Sequence, residues 1–241
     1  MSKVLIEDTT LSDIADSIRN KNGTETTYKP SEMSSAIDNI PSGGISESGA
    51  KIELDTTTNT DIKQFITEVE NLDLNGRTSL SGLFNGYSKL KRVSFKDTSN
   101  VTNLTNTFKS CGELISITGM DTSKVETWAG PFNGCTKLKI ISEIDTSSAT
   151  GFSMVFQGCS MLEDLPVMNL RNVYFLTNTF AGCDSLSNES LNNILETLKN
   201  AYNYGGTKTL QTIGLSETQA TTCTTLSNWS TLQSRGWSTG Y

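Results

Sequence analysis

A chain of 241 residues without a single histidine excludes Ser-His-Asp and Cys-His nucleophile systems and every His-bearing metal site, while carboxylate-pair glycoside hydrolysis, which needs only two acids, remains open. Its 19 Lys and Arg against 26 Asp and Glu give a formal charge of −7, the wrong sign for a phosphate backbone, so no nucleic-acid partner is expected. No segment approaches the roughly 20 apolar residues that span a bilayer, so no membrane insertion is expected either.

Residues 1–42 read as a separate two-helix module. The opening run Val4-Leu5-Ile6 is stopped by Glu7 and Asp8, which is not the pattern of a secretory signal, and no lipid-anchor Cys stands near it. Leu11, Ile14, Ala15 and Ile18 then follow helical spacing behind Thr9 and Thr10, and Asn22-Gly23 ends the run. Pro30-Ser31-Glu32 opens a second helix with Met33, Ala36, Ile37 and Ile40 on one face, stopped by Pro41. Two short amphipathic helices must pack on each other or on a partner, which makes Leu11, Ile14, Ile18, Met33, Ile37 and Ile40 the candidate attachment face. A helix-turn-helix DNA reader is disfavoured, because four basic residues stand against seven acidic ones. The stretch from Leu11 to Lys21, with Tyr28 to Met33 and Ala36-Ile37, resembles the N-terminal module of phage tail and baseplate-associated proteins. That resemblance implies attachment to other virion proteins through residues 1–42.

Residues 43–50, rich in Gly and Ser, read as a flexible linker. Residues 51–77 read as a degenerate first copy of a repeat that fills residues 78–189, keeping Ile66, Val69 and Asp73 in register. An atypical unit suits the end of a stack, where one face meets water.

From residue 78 to 189 the chain is periodic. Phe84, Phe108, Phe132, Phe156 and Phe180 recur every 24 residues without slippage, the mark of stacked similar units. Leu90, Leu114, Leu138, Leu162 and Leu186 hold the same register, as do Tyr87, Cys111, Cys135, Cys159 and Cys183. Asp97, Asp121, Asp145 and Asn169 close the units. Val101, Leu104, Phe108 and Cys111 step by three, four and three, which predicts a helical segment of about three turns. Asp97 or Ser99 would cap it, and a glycine two residues after the Phe would end it. Leu114–Thr118 and Leu138–Ser142 read as short strands, so each unit is helix, turn, strand, turn. The few large apolar side chains of one unit contribute roughly 1.5 to 3 kcal/mol each, too little to offset about 1 to 2 kcal/mol per ordered residue. Neighbours must therefore cover both faces of every unit. The predicted architecture is an α/β solenoid with a parallel sheet on one side and a helix layer on the other.

The run Asp97-Thr98-Ser99-Asn100-Val101-Thr102-Asn103-Leu104, continuing to Phe108-Lys109-Ser110-Cys111 and Leu114, resembles the BspA-type leucine-rich repeat of bacterial surface proteins. Asp121-Thr122-Ser123-Lys124-Val125 and Asp145-Thr146-Ser147 repeat its signature. The resemblance implies the leucine-rich-repeat fold and a role among adhesins, surface proteins and phage virion parts.

Helix capping alone accounts for the Asp column, since a cap contributes about as much as neighbouring carboxylates repel, so no calcium is required. The Cys column reads as buried free thiols, because stacked identical positions point the same way and do not converge as a disulfide needs. On the open face of the sheet, Arg92, Ser94, Ser116, Thr118, Ile140, Ser142, Asp164 and Pro166 form a variable strip and are the candidate recognition residues, although ordinary solvated positions vary as well.

Residues 190–241 read as the closing cap. Leu191, Ile194, Leu195, Leu198 and Tyr202 mark a longer helix, and Leu210 to Leu215 a last strand. Ser216 to Gln219 form a capping box for a helix with Ala220, Cys223 and Leu226. Trp229, Leu232 and Trp237 supply bulk for a lid, and the stretch from Cys223 to Trp237 resembles the end of phage proteins carrying these repeats. The expected function is a virion structural protein (tail, baseplate or head fibre) without enzymatic activity or cofactor, assembled in the host cytoplasm and presenting the repeats to a host surface protein or glycan. The alternative is a bacterial cell-surface adhesin. A homo-oligomer such as a trimer suits a fibre, though no heptad run marks one.

Overall fold

A computed structural model of the chain describes residues 3–6, 63, 66–141, 144–201 and 203–241. The two helices expected within residues 7–42, with Leu11, Ile14, Ile18, Met33, Ile37 and Ile40, lie outside the described residues, as do the linker, Ser142 and Tyr202. The described part is α/β, with one small sheet and few helices. Strands β1 (Lys3–Ile6), β2 (Ile66–Leu72), β3 (Arg92–Phe95) and β4 (Ser116–Thr118) lie side by side in sequence order. The register Val69↔Val93↔Ile117 makes β2, β3 and β4 parallel and sets residues 24 apart beside one another. The first strand runs antiparallel on the outer edge of β2, pairing Lys3 with Glu70 and Ile6 with Ile66.

The helix expected in every unit does not form. Between Leu104 and Cys111 the backbone makes two successive tight turns, because Asn106 and Ser110 adopt the left-handed conformation with φ of 52° and 62°. The same two positions flank every Phe of the ladder: Gly82 and Gly86, Gly130 and Gly134, Met154 and Gly158, Asn178 and Gly182. A left-handed residue every fourth position breaks an α-helix. Alternate N–H groups then take different partners. Those of Thr107 and Cys111 close turns onto Leu104 O (3.1 Å) and Phe108 O (3.1 Å). Those of Leu104, Asn106, Phe108 and Ser110 leave the unit and donate to Thr127, Ala129, Pro131 and Asn133 of the next, at 2.7 to 2.9 Å.

The same turns keep the predicted side-chain face inward. Val101, Leu104, Phe108 and Cys111 are all buried, and the five phenylalanines form a column with adjacent ring centroids 5.3, 5.9, 5.7 and 6.1 Å apart. Leu90, Leu114, Leu138 and Leu162 run beside them, fully buried.

The strand layer is shorter than the sequence suggests. Residues 138–141 form no strand; beyond β4, among the described residues, the parallel pairing of this layer shrinks to one bridge, Ile140↔Asp164. Pro166 stands where Ser94 and Thr118 pair, and it has no N–H to donate to a ladder. Leu210–Leu215 is likewise a turn. It receives the N–H groups of Asn178 and Phe180 on Thr212 O (3.0 Å) and Ile213 O (2.9 Å), and Gly214 is required there because a Cβ would sit 2.5 Å from Ala181 N.

Three helices succeed the repeats: α1 (Asn188–Lys199), α2 (Glu217–Thr224) and α3 (Trp229–Ser234). The predicted capping box forms, with Ser216 and Gln219 satisfying each other's backbone N–H. Helix α1 takes the place of a further strand. Its buried Ser190 and Thr197 accept the N–H groups of Leu165 and Met168, each at 2.9 Å. Trp229, Leu232 and Trp237 are buried as expected of a lid, and Trp237 stacks on Tyr204 with centroids 5.6 Å apart.

Two substitutions test this packing by denaturant unfolding. Phe132→Ala, in the middle of the column, is expected to lose about 3 to 5 kcal/mol. Gly119→Ala is expected to unfold the sheet, because a Cβ there lies 2.3 Å from the Phe95 carbonyl oxygen and φ is +70°.

Candidate functional site

The polar columns of the repeat motif are the first candidates for chemistry. In each Asp-Thr-Ser signature the Asp carboxylate accepts the N–H two residues on: Asp97 from Ser99 (2.8 Å), Asp121 from Ser123 (2.9 Å), Asp145 from Ser147 (2.8 Å). Asp73 does the same for Asn75 (2.9 Å) and Asn169 for Arg171 (3.3 Å). These are Asx turns, not helix caps, since no helix comes after them. The bonds from the Asn75, Ser99 and Ser123 backbones hold the Asp73, Asp97 and Asp121 carboxyls below the usual range, with Lys96 adding to the effect at Asp73. The Asp column is thus occupied with closing turns. Among the described residues no group of three or more His, Cys, Asp or Glu is arranged to hold a metal ion.

The Thr of the signature has a role that sequence reasoning missed. Thr98 Oγ1 donates to Asp121 O (2.9 Å) and accepts from Asp121 N (2.7 Å). Thr122 bonds Asp145 in the same way, and Thr146 bonds Asn169. All three Thr are buried, so one hydroxyl satisfies both backbone groups of the next unit's turn residue.

The Cys column is buried and free, as expected. Each thiol donates backwards to a Phe carbonyl: Cys111 to Phe84 O (3.0 Å), Cys135 to Phe108 O (3.1 Å), Cys159 to Phe132 O (3.1 Å), Cys183 to Phe156 O (3.0 Å). Burial pushes Cys111, Cys183 and Cys223 up to about 12 and raises Cys135 and Cys159 as well. Such thiols are neither nucleophiles nor ligands at neutral pH.

The predicted recognition strip is brought together in two columns. Arg92 pairs with Ser116 and Ile140 with Asp164, while Ser94 pairs with Thr118. Arg92, Thr118, Ile140 and Asp164 are exposed; Ser94, Ser116 and Pro166 are half-buried. Part of the strip is engaged in linking units. Arg92 is ion-paired with Glu68, Ser94 Oγ accepts from Asn71 N (2.7 Å), and Asp164 accepts from Ser187 Oγ (3.4 Å). Ile140, 55% exposed, is the strip's open apolar position.

A second exposed element was not foreseen. Tyr174 and Phe175 are 51% and 67% exposed, on the outward corner where earlier units carry Thr102-Asn103, Glu126-Thr127 and Thr150-Gly151. The available signal was that pair of columns turning from polar residues and glycine to aromatic ones at the last repeat. No helix among the described residues is long and apolar enough to cross a membrane.

Comparison with known proteins places these features in context. The family described as "Mycoplasma protein of unknown function, DUF285" matches residues 55–161 and 78–194, together more than half of the chain. A solved structure, the leucine-rich-repeat protein of T. pallidum, is similar at 18% identity and a TM-score of 0.28, covering 55% of this chain and 77% of that one. No curated protein matches.

Two measurements probe the columns. Ellman's reagent is expected to titrate none of the five thiols in the native chain and all five in denaturant. Because Asp73, Asp97 and Asp121 titrate lower in the folded chain than their ordinary 3.8, their contribution is complete above that value and is lost as pH falls through the lowered ones. Asp97→Asn with Asp121→Asn keeps the acceptor, as Asn169 does. It should therefore leave the neutral unfolding midpoint nearly unchanged and flatten its decline below about pH 4.

Proposed function

The chain belongs to the DUF285 family, and from that premise we propose that its 24-residue units form a leucine-rich-repeat solenoid that serves as a non-enzymatic contact platform in a bacteriophage virion. In this reading the protein is a tail, baseplate or head-fibre component. Residues 1–42 attach it to other virion proteins, and the repeats face the host. The observation that carries the platform role is the assignment of side chains within a unit. The Phe, Leu, Thr and Cys columns are used up in joining one unit to the next, and only the outward columns remain for a partner. Such a stack offers a row of evenly spaced surface positions rather than a cavity. The absence of histidine, and the engagement of the Asp column in turns, support a role without catalysis. Placement in a virion rests on the resemblance of the Leu11 to Ile37 stretch to phage tail modules.

The competing reading is a bacterial cell-surface adhesin. It is favoured by the similarity of the Asp-Thr-Ser repeats to the BspA type and by the family's description, which names a bacterium.

Immunogold labelling with antiserum raised to residues 78–189 separates the two. Labelling of purified phage particles at one discrete position is expected, with loss of that label from particles assembled without residues 1–42. Particles that carry no label, beside intact bacteria that do, would decide for the adhesin.

A further inference from the structure

The outward corner of each unit reads Thr78-Ser79, Thr102-Asn103, Glu126-Thr127, Thr150-Gly151 and Tyr174-Phe175, and its second residues pair in one parallel ladder from Ser79 through Asn103, Thr127 and Gly151 to Phe175. Gly151 has no structural reason to be glycine. Its φ is not in the left-handed region, and a Cβ added to it would meet nothing within 4 Å. The ladder therefore has a gap at this one position, bordered by Thr127 on one side and by Phe175 on the other. At about 4.8 Å per rung, those two neighbours stand about 10 Å apart.

The borders of the gap differ in chemistry. Phe175 is 67% exposed and has no atom within 4 Å of a Cβ built on Gly151, and Tyr174 beside it is 51% exposed. Across the gap, the Glu126 carboxylate and the Thr127 hydroxyl make no hydrogen bond or ion pair among the described residues, while the Thr150 hydroxyl donates to Glu126 O at 3.2 Å. An exposed aromatic residue and exposed polar ones thus border the same one-residue gap, and a ring stacked about 3.5 to 4 Å from the aromatic one fits between rungs about 10 Å apart. A wholly apolar partner would leave Glu126 and Thr127 unpaired against it. A pyranose presents C–H groups to an aromatic ring and hydroxyls to its edges, so it satisfies both borders. The nearby carboxylate and the −7 charge of the chain disfavour an acidic sugar.

We infer that the gap at Gly151, between Phe175 and Thr127, is a subsite for one neutral pyranose unit of a glycan, with the ring stacked on Phe175 and its hydroxyls held by Thr127 and Glu126. The inference rests on the contact-platform reading and names the ligand class for that platform.

The test applies the full chain to an array of neutral and acidic oligosaccharides, with titration calorimetry on the neutral glycan bound most tightly. Phe175→Ala and Gly151→Thr should each weaken binding about tenfold or more, a loss of at least about 1.4 kcal/mol. The unfolding midpoint should hold, because Thr already occupies the equivalent position 127. Phe175→Trp should retain binding. The inference is overturned if no array member binds, if only acidic glycans bind, or if affinity survives Gly151→Thr. It also falls if Phe175→Ala instead abolishes capture of a purified host surface protein stripped of its sugars. A negative array leaves the virion labelling result standing, and unlabelled particles leave a positive array standing, so the two readings fail separately.

Discussion

The structure depends on how each unit divides its backbone N–H groups. Along the turns around each Phe, one set closes turns within the unit and the alternate set is exported to the next. Phe84 N donates to Thr107 O at 2.8 Å, Phe108 N to Pro131 O at 2.8 Å, Phe132 N to Val155 O at 3.1 Å and Phe156 N to Thr179 O at 3.0 Å. A unit without its successor would leave four such donors unsatisfied beside a buried aromatic column. The Thr and Cys columns repeat the same dependence from the side chain, with hydroxyls reaching forward to the next Asp and thiols reaching back to the previous Phe. Apolar burial and hydrogen bonding thus both run along the stack, which is why a repeat too small to fold alone is stable in an array.

An array built this way must be closed at its ends. At the first, β1 pairs along the free edge of β2 and covers backbone groups that would otherwise template another chain. At the other, α1 supplies from Ser190 and Thr197 the acceptors that a further strand would have given, and Gln219 Nε2 donates to Cys183 O at 2.7 Å. Neither Ser190 nor Thr197 stands out in the sequence. Small hydroxyl residues on a helix read as solvated until the neighbouring backbone is seen.

The core was legible because the 24-residue period identifies buried columns whatever backbone carries them. The backbone itself was not. A spacing of three, four and three arises equally from an α-helix and from a run of turns, and only the conformation of the intervening residues distinguishes them. The recurrence of Gly or Asn two residues before the Phe, at Gly82, Asn106, Gly130 and Asn178, was the available sign of left-handed backbone; Met154, with φ of 57°, gives none. The Asp column was read correctly as an acceptor of a nearby N–H, yet assigned to a helix that does not exist. At the surface, the described residues of the predicted strip lie in a pair of columns partly spent on Glu68, Asn71 and Ser187, whereas the aromatic corner at Tyr174 and Phe175 lay in columns that carry polar residues or glycine in every earlier unit.

A contact platform suits this construction, because outward positions can change from unit to unit without touching what holds the units together. That separation requires units to be interchangeable in length. Deletion of one complete period, residues 121–144, should join equivalent rungs and leave a folded, cooperatively unfolding protein by circular dichroism and denaturant titration. Deletion of half a period, residues 121–132, should place Phe against the wrong column and abolish the cooperative transition. If the half-period deletion folds as well as the full one, the exported N–H groups and the stacked columns do not hold the molecule together, and the account fails.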